Sequence, residues 1–240
     1  MEIKLYILLL VYFLLGGISM FFVNRNKDAG YRKNNWLKYV VYFVLVNMLF
    51  VSILINSRYF HYISILILVL GYYEIFTQMH SSGNTKAGIV AITLFSLFAF
   101  TSYHFSLLPK NFLFYTLYLT TAFDAFSQLT GQLFGKRKLL SKISPNKTVE
   151  GLIGGIVLSL FTSLLIRNLL GISILTSVFL GLGLAAFAFL GDILASCCKR
   201  KFNSKDFSNL IPGHGGVLDR FDSLISAGSF MFLINLFTEI

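Results

Sequence analysis

Residues 170–196 read LGISILTSVFLGLGLAAFAFLGDILAS and contain a single charged side chain, Asp192. A helix of about 20 mostly apolar residues spans the hydrocarbon core of a bilayer, so this stretch predicts a transmembrane helix. Seven other stretches have a similar character, although the one at 61–79 is the weakest because it includes Glu74 and Gln78. The sequence therefore predicts an all-α polytopic membrane helix bundle with about eight transmembrane helices. The other seven spans are expected at about 4–23, 37–56, 61–79, 87–107, 111–133, 149–168 and 219–238.

The overall composition supports a membrane protein. The chain is 56% hydrophobic and 12% charged, with a mean hydropathy of +0.75, whereas a soluble domain carries about 25% charged residues. So much apolar surface does not fit a soluble protein, whose surface needs polar and charged groups. The first span is interpreted as a retained helix, because few basic residues precede it and Met20-Phe21-Phe22 does not resemble a signal-peptide cleavage site.

The net charge of +10 comes from basic residues in loops, which argues against nucleic acid as a partner. All but four of the 20 lysines and arginines fall between spans one and two, three and four, five and six, or seven and eight, or at the span ends that border these loops; the four exceptions are Lys4, Arg58, Lys110 and Arg167. Basic loops lie on the cytoplasmic side of a membrane. We therefore expect a multi-pass protein of the cell (plasma or inner) membrane, with its basic loops in the cytoplasm.

The chain is expected to form a single integral membrane domain over residues 1–240. Residues 1–110 are nearly featureless apolar helices and are interpreted as a scaffold, whereas residues 120–230 carry most of the informative polar groups. The only two cysteines, Cys197 and Cys198, are adjacent. They lie at a predicted cytoplasmic helix end, in a reducing compartment, so we expect two unpaired thiols.

Carboxylates that fall inside predicted spans or at their ends include Glu74, Asp124, Glu150 and Asp192. Placing an acid in a bilayer costs free energy unless the acid is paired, bound to a metal or hydrated, so each is a candidate functional residue. For Glu74, a functional role and a purely structural pairing with a basic neighbour both stay open.

A glycine-rich loop leads into the last span, with the sequence PGHGGVLDRFDS at residues 212–223. Glycines let a backbone approach a ligand closely, and the free N–H groups at a helix N-terminus attract phosphate. Asp219 and Asp222 are three residues apart, so they share one helix face. Two carboxylates beside such a turn suit Mg²⁺ bound to a polyphosphate. Nearby cations would hold phosphate oxygens: Lys199, Arg200, Lys205 and Arg220.

A second polar segment occupies residues 141–151. Ser144 and Pro145 are interpreted as a helix cap and first helical residue. Lys147 would then lie in the first helical turn, where the helix dipole disfavours a cation, and this favours an anionic partner. A plain basic loop followed by a capped helix remains the alternative.

These motifs resemble those of the phosphatidate cytidylyltransferases, also named CDP-diglyceride synthases. The resemblance covers about residues 120–230. The matching positions are Gly135-Lys136, Ser144 to Gly151, Gly191-Asp192, Ser196 to Arg200, Lys205-Asp206 and Leu210 to Asp222.

The resemblance implies transfer of CMP from CTP to phosphatidate, or a related lipid phosphate, with release of pyrophosphate. It implies Mg²⁺ as cofactor, leaves K⁺ open as a second cation, and allows a homodimer in the lipid bilayer. Asp192 and Asp219 are the expected metal ligands, supported by Asp222, and Lys205 and Arg220 complete the expected catalytic set. The expected substrate-binding residues are Asp124, Ser144, Lys147, Glu150, Lys199, Arg200, His214, Gly215 and Gly216.

Four positions depart from the family pattern: Gln128, Val149, Ala195 and Phe207. They leave the expected metal and phosphate residues in place and bear more on the lipid acceptor. A CTP-dependent enzyme acting on another lipid phosphate or lipid alcohol, such as an isoprenoid, is therefore the first alternative. The second is a non-catalytic membrane paralogue, against which the retained aspartates and basic residues argue.

Overall fold

The computed structural model describes residues 2–25, 27–211 and 215–238. Within these ranges the chain folds into eight α-helices, a two-stranded hairpin between α5 and α6, and a short 3-10 turn after α6. The helices are α1 (Glu2–Asn24), α2 (Ala29–Ile55), α3 (Ser57–Ser82), α4 (Thr85–Phe105), α5 (Lys110–Phe134), α6 (Val149–Ile166), α7 (Ile174–Lys201) and α8 (Leu218–Phe237); the strands are β1 (Lys138–Leu140) and β2 (Ser144–Thr148).

The predicted membrane helix bundle is confirmed. In the described part of the chain, six helices are long and apolar enough to cross a membrane, namely α1 to α4, α6 and α7. The other two predicted spans are also continuous helices, α5 with 25 residues and α8 with 20. They carry more polar groups, because both face the interior of the bundle along much of their length.

Helix α5 lies at the centre of the bundle. Every residue from Leu113 to Phe123 is buried, and the helix packs against α1, α2, α6, α7 and α8. Polar side chains on α5 therefore find partners in protein, as where the Tyr115 hydroxyl and Ser163 Oγ share a hydrogen bond of 2.6 Å. The outer helices instead expose large apolar side chains, such as Leu97 and Leu175, which suits contact with lipid.

The basic loops gather at one end of the bundle. Asn84 Nδ2 donates a hydrogen bond of 3.1 Å to the Lys201 carbonyl, which ties the α3–α4 turn to the end of α7. Arg200 Nε donates a hydrogen bond of 2.9 Å to the Ile143 carbonyl, which ties the hairpin to the same helix end. Loops that the charge pattern groups on one side therefore meet in space.

The predicted helix start at Ser144 and Pro145 is wrong. Residues Ser144–Thr148 form β2, which pairs with β1 in antiparallel fashion, and a proline is tolerated in such an edge strand. Helix α6 begins at Val149, and its N-cap is Thr148, whose hydroxyl accepts a hydrogen bond from the Gly151 amide. Lys147 therefore extends from a strand, so the argument from the helix dipole does not apply to it.

Helices α7 and α8 pack closely at Gly191. A Cβ atom there would lie 2.4 Å from the Asp222 carbonyl oxygen and 2.7 Å from Ser226 Cβ. We predict that Gly191→Ala forces the helices apart and lowers stability by about 1–3 kcal/mol, seen as a lower Tm in detergent. Gly16→Ala is the control, because its nearest contact would be an ordinary 3.6 Å to Tyr39; equal Tm values for the two variants would contradict the prediction.

Candidate active site

A cavity of about 1200 Å³ extends from the basic end into the bundle. Its walls come from α1, α2, α5, the hairpin, α7, α8 and the connection between α7 and α8. It reaches from Lys138 and Lys205 near the loops to Tyr12 and Tyr42 within the helices. The cavity thus joins the charged end of the protein to its apolar interior.

Acidic side chains line this cavity from three helices. Asp124 comes from α5, Asp192 from α7, and Asp219 and Asp222 from the start of α8. The carboxylate of Asp222 is repelled by those of Asp124 and Asp192. Such a concentration of negative charge favours bound cations.

Asp219 is the most firmly held of these acids. Its side chain is fully buried, and Oδ1 forms an ion pair of 2.5 Å with Lys199 Nζ at the end of α7. Its Oδ2 accepts hydrogen bonds of 2.8 Å from the backbone amides of Phe207 and Gly216. Asp219 therefore joins α7, α8 and both ends of the segment between them.

Asp192 is more accessible, with 39% of its side chain exposed. Lys147 Nζ reaches it from β2 at 2.5 Å and also lies 4.9 Å from the centre of the Phe189 ring. The hairpin thus delivers a cation to a cavity carboxylate.

Arg220 adds a second cation to the cavity wall. Its Nε atom is buried and has no hydrogen-bond partner among the described residues, while its charge attracts the carboxylates of Asp124 and Asp222. A buried guanidinium donor beside a cavity is suited to an anionic ligand.

The structure brings eight of the predicted site residues to the cavity wall. They are Asp124, Lys147, Asp192, Lys205, Gly215, Asp219, Arg220 and Asp222. Five others in the described ranges do not line it: Ser144, Glu150, Lys199, Arg200 and Gly216. His214 lies outside the described residues. The catalytic and binding roles of all these residues remain predictions.

The residues away from the cavity mostly hold its walls in place. Glu150 accepts hydrogen bonds of 3.0 and 3.1 Å from the backbone amides of Lys136 and Arg137, and Arg137 Nε lies 3.1 Å from the same carboxylate. Arg200 binds the hairpin backbone and Lys199 binds Asp219. Glu150, Lys199 and Arg200 thus connect the elements that carry the lining residues.

Two glycines of the loop before α8 are each required for a different structural reason. Gly215 has a φ of +84°, and a Cβ there would lie 2.9 Å from Asp206 Cβ. A Cβ on Gly216 would lie 2.6 Å from Glu74 Oε1. Gly215 therefore adopts a backbone conformation that favours glycine, and the close approaches of this loop are to side chains of the protein itself.

Sequence reasoning missed the contribution of the first two helices to the cavity, and it left open whether Glu74 of α3 is functional or structural. Lys27, Asn35, Lys38 and Tyr42 line the cavity from the α1–α2 region. Glu74 of α3 is completely buried against the α7–α8 connection. The concentration of polar residues at 24–38 could have indicated a role in the site, but this segment lies more than 80 residues before the motifs, so the sequence did not link the two.

The cavity acids fit a hard divalent cation that keeps water or substrate oxygens as ligands. No group of three His, Cys, Asp or Glu side chains in the described ranges could hold a metal ion alone. Mg²⁺ typically binds one or two carboxylates together with phosphate oxygens and water. The accessible carboxylate of Asp192 and the mutually repelled acids beside it provide such a set.

Comparison with known proteins identifies the family. The sequence profile described as the cytidylyltransferase family matches residues 110–237, from the start of α5 to the end of α8. The chain belongs to this family. The family match thus includes every helix that contributes an aspartate to the cavity, whereas α1 to α4 precede it.

Three proteins named phosphatidate cytidylyltransferase are similar to this chain. The Rickettsia bellii protein is 36% identical over 216 residues, covering 85% of this chain and 92% of that protein. The Bacillus subtilis protein is 37% identical over 157 residues, covering 61% and 58%. The Haemophilus influenzae protein is 41% identical over 136 residues, covering 53% and 47%. The chain therefore spans about half the length of two of these relatives and nearly all of the third.

The Lys199–Asp219 pair offers a test of the site's architecture. Lys199→Met removes one partner of a buried ion pair and leaves Asp219 uncompensated, so we expect a loss of about 3–5 kcal/mol in unfolding free energy. The matched control is Arg137→Met, which breaks an ion pair whose arginine is 72% exposed and should cost less than about 1 kcal/mol. The free energy of unfolding of both variants is measured in mixed micelles. Similar losses of unfolding free energy would contradict the conclusion that the Lys199–Asp219 pair is buried and the Arg137–Glu150 pair is exposed.

Proposed function

We propose that this cytidylyltransferase-family protein transfers CMP from CTP to phosphatidate, forming CDP-diacylglycerol and pyrophosphate. The supporting observation is that Asp192, Asp222, Lys147 and Arg220 line one cavity inside an apolar helix bundle. One substrate is a polar nucleotide and the other carries acyl chains, so the site needs a charged region within reach of the bilayer. Phosphatidate is chosen as the acceptor because the similar proteins are named phosphatidate cytidylyltransferase.

The reaction is a phosphoryl-group substitution. A phosphate oxygen of phosphatidate attacks the α-phosphorus of CTP, forming a new P–O bond. The bond between the α-phosphorus and the oxygen leading to the β-phosphorus breaks, and pyrophosphate leaves with that electron pair. Phosphatidate is already an anionic nucleophile, so catalysis depends on positioning and charge neutralisation.

The basic residues of the cavity would perform much of this neutralisation. Arg220 has a buried guanidinium donor, and Lys205 lines the same space. Lys147 reaches the cavity from the hairpin and lies beside Asp192. Charge-assisted hydrogen bonds from these groups would orient the phosphates and stabilise the leaving pyrophosphate.

Mg²⁺ is part of the proposal. Asp192 and Asp222 would hold it. Asp219, which the sequence favoured over Asp222, becomes the third candidate ligand, because both of its carboxylate oxygens already accept hydrogen bonds. When bound, Mg²⁺ would neutralise the triphosphate and polarise the reacting phosphorus. A second cation, K⁺, and a homodimer remain expectations of the family resemblance.

We place the basic end of the bundle, and with it the mouth of the cavity, in the cytoplasm. Positive loops favour that side, and CTP is a cytosolic nucleotide. The acyl chains of the acceptor would stay in the bilayer beside the exposed apolar helices.

The second candidate is a CTP-dependent transferase for another lipid phosphate. Two of the four family departures, Ala195 and Phe207, line a separate apolar pocket of about 60 Å³ between α3, α4, α7 and α8. Asp222 borders both this pocket and the main cavity. An apolar surface that differs from the family pattern this close to the site favours a lipid acceptor other than phosphatidate. Turnover rates measured with a panel of acceptors, including phosphatidate and an isoprenyl phosphate, separate the two candidates.

Asp192→Asn tests the proposed chemistry. The change preserves side-chain shape but removes an accessible cavity charge, so we expect turnover to fall by about 10²–10³-fold. The measurement is conversion of labelled CTP by detergent-purified protein with Mg²⁺ and phosphatidate. Lys4→Ala, on an exposed residue at the opposite end of α1, is the control and should retain full activity. Undiminished turnover by Asp192→Asn would exclude the proposed role.

A further inference from the structure

The N-terminus of α8 is capped by a residue from a distant helix. The first N–H groups of a helix have no partner within it, and the N-cap residue of α8, Val217, provides no side-chain hydrogen bond. Glu74 of α3 takes that role, because its Oε1 and Oε2 accept hydrogen bonds of 2.7 and 2.8 Å from the amides of Val217 and Leu218. The carboxylate thus faces the positive end of the α8 dipole.

Glu74 also holds the other side of the α7–α8 connection, residues 202–217. Its Oε1 accepts a hydrogen bond of 2.6 Å from Ser208 Oγ, and its side chain is completely buried. Three donors therefore satisfy a charge that would otherwise be costly at this depth.

Gln78 follows Glu74 by four residues, so both side chains project from the same face of α3. Gln78 Nε2 donates a hydrogen bond of 2.8 Å to the Phe207 carbonyl and a longer one of 3.4 Å to the Asp206 carbonyl. Helix α3 therefore fixes the connection at both of its described ends, near 206–208 through both residues and near 216–218 through Glu74.

Those two ends converge on Asp219. The amides of Phe207 and Gly216, one from each end, donate to the same Asp219 oxygen. Gly216 lies so close to the Glu74 carboxylate that there is no room for a Cβ. Glu74 and Asp219 therefore bind the same stretch of backbone before the first turn of α8.

We propose that Glu74, assisted by Gln78, is a positioning residue for the transfer reaction. It acts through the α7–α8 connection, holding Asp219 and the helix turn that carries Arg220 and Asp222 in the geometry for phosphate chemistry. We call the hydrogen bonds from Glu74 and Gln78 to the connection and to α8 the clamp. The catalytic consequence of this inference rests on the proposed function, whereas the clamp itself rests on the hydrogen bonds alone.

Glu74→Gln is the test. The amide keeps the size of the side chain, but one carboxylate oxygen becomes an NH₂ group. An NH₂ group cannot accept a hydrogen bond from a backbone N–H, so one of the two hydrogen bonds of the cap is lost. We expect kcat to fall by about 10- to 100-fold, as is typical when a supporting residue is lost, with KM for CTP changed by less than about threefold. Gln78→Leu should act in the same direction with a smaller effect.

Hydrogen exchange provides a readout that does not depend on activity. In Glu74→Gln, the amides of Val217 and Leu218 should exchange faster, whereas those of the hairpin, residues 138–148, should not change. Tyr72→Phe is the matched control, because it removes a 2.8 Å hydrogen bond from α3 to Ser96 of α4 without touching the connection. It should retain the kcat and the exchange pattern of the unmodified protein.

Three results would overturn the proposal: a kcat for Glu74→Gln within twofold of the unmodified protein, an equal loss in Tyr72→Phe, or faster exchange spread evenly over all helices. Failure of the proposed function looks different. The unmodified protein would then transfer no CMP to phosphatidate, and the exchange comparison would support or overturn the clamp by itself.

Discussion

The buried ion pair between Lys199 and Asp219 joins the two helices on which the candidate site is built. A charge at this depth is costly when unpaired, so the last turn of α7 and the first turn of α8 must stay together. The same carboxylate collects backbone amides from both ends of the α7–α8 connection. One side chain therefore joins α7, which carries Asp192, to the start of α8, which carries Arg220 and Asp222.

The bundle around this pair separates its polar and apolar surfaces in a way that suits a bilayer. The outer helices expose large apolar side chains, while the central helix α5 is enclosed by protein over eleven residues. Polar groups on α5, such as Tyr115 and Asp124, therefore face protein or the cavity. This arrangement brings a charged cavity into an apolar bundle without placing its acids against lipid.

The helices that precede the family match contribute to the site in space. Helices α1 and α2 close one wall of the cavity with Lys27, Lys38 and Tyr42. Helix α3 contacts the α7–α8 connection, where Glu74 caps α8. The division into a scaffold half and a catalytic half stays a prediction, but in space residues of both halves line the cavity or bind the α7–α8 connection.

Hydropathy by itself determined the spans and the basic end, because both depend on the character of neighbouring residues in the chain. The motifs likewise identified the cavity aspartates, Lys147 and Arg220, and the glycine-rich loop before α8. Other features could not be predicted from local pattern. The hairpin at Ser144 depends on pairing with β1, since serine and proline equally suit a helix start. The Lys199–Asp219 pair and the Glu74 cap join residues 20 and 143 or more positions apart, and only the packing of α3, α7 and α8 decides such contacts.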